Sequence, residues 1–178
     1  MLIVQKFGGS SIADGDRLRR AAGICMRQRQ NGNEVVVVVS AMGDTTDLLA
    51  DRARVLGGKP SPREMDALIT TGEQQSAALL VMTMESLGIP AVSLAGWQAG
   101  IYTDCRYGDS DIRLIAPVRI REALSRGRVP VVTGFQGGCA AGDITSLGRG
   151  GSDTTAVALA AALESDCCEI YTDVDGIY

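Results

Sequence analysis

The stretch Gly148-Arg149-Gly150-Gly151-Ser152-Asp153-Thr154-Thr155 places a charged pair inside a glycine-rich turn at the start of a predicted helix. Its glycines allow left-handed or crowded backbone conformations, so a ligand can approach the main chain closely. Ser152 or Asp153 is expected to cap the helix, which continues through the small-residue run 156–163. A helix start offers unpaired N–H groups and the positive end of the helix dipole. The stretch therefore predicts a site for a carboxylate or a phosphate.

A second glycine loop follows the first predicted strand of the chain. Residues 2–7 read as a strand that ends at Lys6-Phe7 and runs into Gly8-Gly9-Ser10-Ser11. Lys6 is one of only two lysines, the other being Lys59. A lysine beside a glycine loop is typical of phosphate binding. Neither loop ends in Gly-Lys-Ser or Gly-Lys-Thr, so neither is a Walker phosphate loop.

Predicted strands alternate with predicted helices along the whole chain, and this alternation predicts an α/β domain with a mainly parallel sheet sandwiched by helices. Ligands collect at the carboxyl ends of the strands in such sheets. Residues that follow predicted strands should therefore converge on one edge; they are Lys6 to Ser10, Ser40, Gly134 and Asp173.

Several local features are expected along this pattern. Asp14 or Asp16 should begin a helix through Asn31, and Ser61 should cap another helix that Gly72 interrupts. Residues 96–111 read as a loop or small hairpin, and residues 134–143 as a glycine-rich excursion.

Composition narrows the classes of function. A chain of 178 residues can bury about 70% of its unfolded surface as one domain. Its formal charge of -4 argues against a nucleic-acid partner, and no apolar run reaches the roughly 18 residues of a membrane span. We therefore expect a cytoplasmic protein without membrane contact.

Histidine and cysteine usage narrow the chemistry further. The chain has no histidine, which removes the commonest general base and the commonest metal ligand. Its five cysteines are odd in number and show no Cys-x-x-Cys spacing, so we expect reduced thiols rather than a disulfide framework.

Five short motifs and a closing segment occur in order along the chain. They are Lys-Phe-Gly-Gly-Ser-Ser at 6–11, Val-Ser-Ala-Met-Gly-Asp-Thr-Thr-Asp at 39–47, Thr-Gly-Glu-Gln at 71–74, Gly-Phe-Gln-Gly at 134–137, Gly-Arg-Gly-Gly-Ser-Asp at 148–153 and Thr-Asp-Val-Asp-Gly-Ile-Tyr at 172–178. Together they resemble the aspartate kinases of the amino-acid-kinase superfamily. The resemblance implies a three-layer fold and phosphoryl transfer from ATP to the side-chain carboxylate of L-aspartate. The product would be 4-phospho-L-aspartate, for lysine, threonine and methionine synthesis, made by a homo-oligomeric parent enzyme.

The predicted nucleotide side of the site begins at the first glycine loop. Phosphoryl transfer depends mostly on positioning and charge neutralisation, which suits a chain without histidine. Lys6 is expected to contact the transferring phosphoryl group, while backbone N–H groups of Gly8, Gly9 and Ser10 hold phosphate oxygens. The resemblance implies that Mg²⁺ arrives with ATP, so no protein metal site is expected. It adds the following residues to the ATP contacts: Phe7, Thr172, Asp173 and Tyr178.

The predicted acceptor side pairs two opposite charges. Arg149 offers a bidentate fork for a carboxylate, and Glu73 offers an anion for an ammonium group. The resemblance assigns both to the aspartate pocket and makes Asp153 the residue that orients Lys6 or the substrate ammonium. Glu73 as a helix-surface charge and Asp153 as a simple helix cap remain open. The other expected substrate contacts are Ser40, Thr46, Gly150, Gly151 and Ser152.

The sequence departs from the family pattern in two places. Tyr107 precedes Gly108 where the family usually has a histidine, and the chain stops at Tyr178. Family members continue into the rest of the nucleotide-binding part and then into ACT regulatory domains. We therefore expect residues 1–178 to be the N-terminal, acceptor-binding portion of a C-terminally truncated fold, with a defective ATP site.

Three other functions remain open. The chain could be another amino-acid kinase acting on glutamate, carbamate or a nucleoside monophosphate. It could be a dinucleotide-binding oxidoreductase module, because Gly148-x-Gly150 is followed by Asp173 about 20 residues later, although Asp153 replaces the third glycine. It could also be a non-catalytic module that binds a ligand or dimerises.

Overall fold

The structure is a computed structural model that describes residues 1–172. In chain order its elements are β1 (Leu2–Phe7), a 3-10 turn (Ser10–Ile12), α1 (Gly15–Gln30), β2 (Glu34–Val39), α2 (Thr45–Val55), α3 (Pro62–Ile69), α4 (Thr71–Ser86), β3 (Ala91–Leu94), β4 (Ile101–Thr103), β5 (Ile112–Ile115), α5 (Val118–Ser125), β6 (Val129–Thr133), β7 (Gln136–Cys139), β8 (Ile144–Ser146), α6 (Gly151–Leu163) and β9 (Cys167–Tyr171).

The main sheet within residues 1–172 is parallel throughout, as predicted. Its strand order is β3-β6-β2-β1-β9. In the centre, Lys6 of β1 is aligned with Val38 of β2 on one side and with Ile170 of β9 on the other. The continuous valine run of β2 is buried, as expected for a strand covered on both faces.

Helices cover both faces of this sheet, which confirms the three-layer sandwich. On one face, α1 and α4 pack Leu18 and Leu80 against Val35 and the other odd-numbered valines of β2. On the opposite face, α5 and α6 pack Ile120 and Leu159 against its even-numbered valines. No helix within residues 1–172 is long and apolar enough to cross a bilayer.

A second, smaller sheet lies beside the main one, in the order β5-β4-β7-β8. The segment 96–111 contributes β4 and leads to β5, which forms the small hairpin with it. The segment 134–143, expected to be a glycine-rich excursion, contains β7 and leads to β8. Glycine lowers strand propensity, but Gly137 is needed here because a Cβ would lie 2.7 Å from Thr103 Cγ2.

The expectation of reduced thiols is wrong for one pair of cysteines. Cys105 and Cys139 form a disulfide with their Cα atoms 5.3 Å apart. The pairing of Thr103 with Cys139 between β4 and β7 brings Cys105 beside its partner. An odd cysteine count excludes complete pairing but not a single bridge. The remaining cysteines are free, namely Cys25, Cys167 and Cys168.

Helix starts agree with the sequence at two places and differ at two. Asp14 caps α1 and Ser61 caps α3 through their side chains, as predicted. By contrast, α6 begins one residue before Ser152, with Gly150 as its cap at φ 76° and no side-chain cap, so neither Ser152 nor Asp153 caps it. The left-handed backbone at Gly150 replaces a side-chain cap.

The break between α3 and α4 falls at Thr70 rather than at Gly72, which lies inside α4.

Candidate functional site

A cavity of about 370 Å³ lies at the carboxyl edge of the main sheet. It is enclosed by the ends of β1 and β2, the first turn of α4 and the start of α6. Most of the predicted site residues line it, and they come from four separate parts of the chain. They are Lys6, Gly9, Ser10, Ser40, Thr46, Glu73, Arg149, Gly150, Gly151, Ser152 and Asp153.

Lys6 and Asp153 form an ion pair on one side of this cavity. Lys6 Nζ lies 2.7 Å from Asp153 Oδ1. The lysine side chain is about 10% exposed and that of the aspartate about 50%. Asp153 lies in the first turn of α6, where the helix dipole favours a negative charge. The pair therefore fixes the ammonium of Lys6 at the cavity wall.

The loop after β1 offers fewer backbone N–H groups for phosphate oxygens than the sequence predicted. The Gly8 N–H donates to Tyr171 O at 3.1 Å, so the expectation that it holds a phosphate oxygen is wrong. Strand β9 takes this donor because it pairs with β1 up to Phe7. Phe7 is buried and stacks on Tyr171, with ring centroids 4.8 Å apart. Gly9 and Ser10 line the cavity and remain the candidates for phosphate contact.

The other predicted nucleotide contacts lie elsewhere. Thr172 lines a neighbouring cavity with Phe7 and Arg17. Asp173 and Tyr178 lie outside the described residues.

Glu73 is a buried carboxyl group that lines the cavity, only 3% exposed, and not a helix-surface charge. Its Oε1 accepts a hydrogen bond from Ala41 N at 3.1 Å. Within residues 1–172 its Oε2 has no partner. Burial raises the pKa of Glu73 to about 7, because desolvation disfavours the charged form. A cationic group placed at Oε2 would satisfy this oxygen and favour the carboxylate.

Arg149 provides a positive charge at the cavity mouth. It is exposed and lies between Gly148 and Gly150, both of which have positive φ. Within residues 1–172 it forms no ion pair, and its guanidinium is available for a ligand. The turn follows β8 of the small antiparallel hairpin rather than a parallel strand, which argues against a dinucleotide-binding turn.

Phe135 also lines the cavity, although no sequence pattern predicts a role for it. It has φ 67°, an uncommon conformation for a bulky residue. Its N–H donates to Thr155 Oγ1 and its carbonyl accepts from Leu147 N, so the strained residue is held on both sides. Its place inside the Gly-Phe-Gln-Gly motif gave no sign of this conformation.

The charged groups around the cavity suit a ligand that carries both positive and negative charges. Lys6, Arg149 and the start of α6 favour anionic groups, whereas Glu73 favours a cation. Among residues 1–172 no group of three histidine, cysteine, aspartate or glutamate side chains is arranged to hold a metal ion.

Comparisons with known proteins give the family context of this geometry. All residues, 1–178, match the model described as the amino acid kinase family. An aspartokinase of Mycolicibacterium smegmatis is 56% identical over 178 residues, covering 99% of this chain and 42% of the relative. The chain thus spans less than half the length of that curated relative.

Solved structures of aspartate kinases also match this chain. The aspartate kinase from Synechocystis is 49% identical with a TM-score of 0.85, over 99% of this chain and 29% of its own. E. coli aspartokinase III, in complex with aspartate and ADP, is 27% identical with a TM-score of 0.89, over 100% of this chain and 50% of its own.

Proposed function

The chain belongs to the amino acid kinase family, and from this premise we propose that it forms the L-aspartate-binding portion of an aspartate kinase. The reaction would transfer a phosphoryl group from ATP to the side-chain carboxylate of L-aspartate. The product, 4-phospho-L-aspartate, would enter the synthesis of lysine, threonine and methionine. The observation that carries this proposal is the buried Glu73, one of whose oxygens has no partner within residues 1–172, in the same cavity as Arg149, which forms no ion pair within that range.

The charges of L-aspartate match those of the cavity. Its α-ammonium group would pair with Glu73 Oε2, which lacks a partner within residues 1–172. Its α-carboxylate would accept a bidentate contact from Arg149, which leaves the side-chain carboxylate for the reaction. Ser40 and Thr46 would add hydroxyl contacts, and the start of α6 at Gly151 and Ser152 would add its dipole. The E. coli relative, whose structure holds aspartate and ADP, supports this assignment.

The proposed chemistry needs no general base. At neutral pH the side-chain carboxylate of aspartate is already ionised, so its oxygen attacks the γ-phosphorus without losing a proton. The new oxygen–phosphorus bond forms as the bond to ADP breaks, and ADP leaves. A chain without histidine is therefore compatible with this reaction.

Lys6 and Asp153 would act on the transferring group. The Lys6 ammonium would neutralise charge on the phosphoryl oxygens, and Asp153 would hold it in place through their 2.7 Å contact. Mg²⁺ would arrive with ATP and neutralise further charge. Gly9, Ser10 and Thr172 remain the proposed nucleotide contacts within the described residues.

A ligand panel tests the acceptor assignment. Thermal unfolding of the protein would be followed with L-aspartate, L-glutamate, NAD and Mg-ATP. A ligand at 100 times its Kd adds about 2.7 kcal/mol to the free energy of unfolding. Stabilisation by L-aspartate above the other amino acid supports the proposal. A larger response to L-glutamate would indicate a different amino-acid kinase, and a response to NAD alone would contradict the family-based function.

The pH dependence of L-aspartate binding is expected to report Glu73. Because its pKa is raised to about 7, the carboxyl is largely protonated below that pH and must lose a proton to pair with an ammonium group. Affinity should therefore fall by up to about tenfold for each pH unit below 7 and level off above it. Calorimetric titrations between pH 5.5 and 8.5, in buffers of different ionisation enthalpy, would also detect the released proton.

The Glu73→Gln variant is the control for this effect. The amide keeps the shape of the side chain but cannot titrate, so binding should be weak and independent of pH. No histidine titrates in this range, because the chain has none. Equal Kd values for the unmodified protein at pH 6 and pH 8 would refute the role given to Glu73.

A further inference from the structure

Asp66 is a buried carboxylate outside the set of proposed substrate contacts. It lies on α3 and is 1% exposed. Its Oδ1 accepts from Ser146 Oγ at 2.8 Å, and its Oδ2 accepts from Ser146 N and from Gly108 N, both at 2.9 Å. Within residues 1–172 it forms no ion pair, so hydrogen-bond donors alone satisfy it. A buried carboxylate with three such bonds fixes its partners relative to its own helix.

The residue that Asp66 holds most firmly leads directly to Arg149. Ser146 is the last residue of β8, and the arginine turn follows after Leu147. The carbonyl of Ser146 also accepts from Ser110 N at 2.8 Å. The N–H, the hydroxyl and the carbonyl of Ser146 are therefore all hydrogen-bonded. These bonds fix the direction in which the chain enters the arginine turn.

The loop bonded to Asp66 through Gly108 supports the same turn from beside it. The neighbouring residue Asp109 lies against Gly148, where a Cβ would come within 2.5 Å of Asp109 Oδ1. Asp66 thus reaches the arginine turn by two routes, through Ser146 along the chain and through the loop at Gly108 and Asp109.

The helix that carries Asp66 also places Glu73. Helix α3 ends at Ile69, and α4 begins after Thr70 and carries Glu73 in its first turn. Gln136 Nε2 donates to Thr70 O at 2.8 Å and ties this junction to β7 of the small sheet. The pair of helices α3 and α4 therefore carries Glu73 itself and also fixes the Arg149 turn through the side chain of Asp66.

We propose that Asp66 is a positioning residue that fixes the Arg149 turn relative to Glu73 and thereby selects an amino acid of the length of L-aspartate. This inference rests on the proposed function of the cavity. Glu73 and Arg149 would hold the α-ammonium and α-carboxylate groups, and the side-chain carboxylate would then have to reach the hydroxyls of Ser40 and Thr46. Ligand length is discriminated only when the α-groups are held in a fixed place, because a mobile arginine turn accommodates acids of different lengths. Asp66 acts through Ser146 and does not itself contact the ligand.

The test compares L-aspartate and L-glutamate binding in three forms of the protein by titration calorimetry. Asp66→Ala removes all three hydrogen bonds and should weaken L-aspartate binding about 10- to 100-fold, the loss expected when a charged hydrogen bond to the ligand is weakened or lost. The preference for L-aspartate over L-glutamate should fall with it. Asp66→Asn can keep all three contacts, because its oxygen accepts the two N–H groups while its amide donates to Ser146 Oγ. It should bind within about threefold of the unmodified protein.

Asp143→Ala is a matched control in the same hairpin. Asp143 also accepts three hydrogen bonds, two from Arg63 and one from Tyr107 Oη, but it precedes β8 at the end away from Arg149. Its loss should lower the melting temperature without changing the ratio of the two affinities. A general structural role for Asp66 would instead give both alanine variants the same behaviour, which would overturn the proposal.

The remaining outcomes are also decisive. If Asp66→Ala binds L-aspartate within threefold of the unmodified protein with an unchanged ratio, Asp66 does not position the site. If that variant does not fold, Ser146→Ala replaces it, since it removes one of the three bonds and should lower the ratio to a smaller extent; an unchanged ratio overturns the proposal. If the unmodified protein binds no L-aspartate, the proposed function itself fails, and this inference fails with it.

Discussion

Lys6→Met is expected to lower kcat by about 10²- to 10³-fold, the largest effect that the site predicts. The ammonium of Lys6 is fixed at the cavity wall by its 2.7 Å contact with Asp153. Removal of one preorganised donor to a transition-state charge costs about 2.7 to 4 kcal/mol. Methionine keeps the length and apolar body of the side chain, so the core beneath it should remain packed. Asp153 is half exposed and can be solvated once its partner is lost.

The measurement is the rate of ADP release with saturating L-aspartate and Mg-ATP. Lys59→Met is the matched control, because Lys59 is the only other lysine in the chain and is exposed. It should leave kcat unchanged. L-aspartate affinity should also change little in Lys6→Met, because the proposed amino-acid contacts come from other residues. A kcat within threefold of the unmodified enzyme would rule out Lys6 as the group that neutralises the transferring phosphoryl.

Arg149→Ala is expected to weaken L-aspartate binding by about 10- to 150-fold, with little loss of thermal stability. Hydrogen bonds to charged groups contribute about 1.5 to 3 kcal/mol, and each 1.4 kcal/mol is a factor of ten in Kd. Arg149 is exposed and forms no ion pair within residues 1–172, so the fold should not depend on its side chain. The expected loss is therefore one of ligand contacts.

Two further variants separate charge from geometry. Arg149→Lys keeps the charge but loses the planar fork, and it should give an intermediate Kd. Arg126→Ala removes an exposed arginine that precedes β6, at the opposite edge of the sheet from the cavity, and should bind normally. Equal weakening by Arg126→Ala and Arg149→Ala would mean that only the overall charge of the protein matters.

The convergence of Lys6 and Ser40 was predictable because a simple rule governs parallel sheets. Lys6 lies at the end of β1 and Ser40 follows β2, and these strands are neighbours, so the two residues meet at one edge whatever the connecting helices do. Glu73 and Arg149 follow no strand of the main sheet, and only the motif resemblance assigned them to the same site. The structure places all four around one cavity.

The small sheet and its consequences were less predictable. Strand β7 is rich in glycine because its neighbours approach closely, and local propensity reads such a segment as a loop. The disulfide between Cys105 and Cys139 depends on that strand pairing and has no local signature. The role of Asp66 depends on its contacts with Ser146 and Gly108, which lie 80 and 42 residues away in the sequence.

Backbone hydrogen bonding explains the remaining differences. The Gly8 N–H belongs to the pairing of β1 with β9, which no pattern in the glycine loop reveals. The cap of α6 is the left-handed Gly150, although Ser152 and Asp153 are better capping residues in isolation. In both places the position of the strand or turn in the fold outweighed local preference.

Titration calorimetry of L-aspartate at pH 8 is the test of the acceptor pocket itself. We expect saturable binding of one L-aspartate per chain, about tenfold or more tighter than that of L-glutamate, and its loss in Arg149→Ala and Glu73→Gln. Tighter binding of L-glutamate, or L-aspartate binding that survives both substitutions, would contradict the assignment of this cavity to the aspartate acceptor.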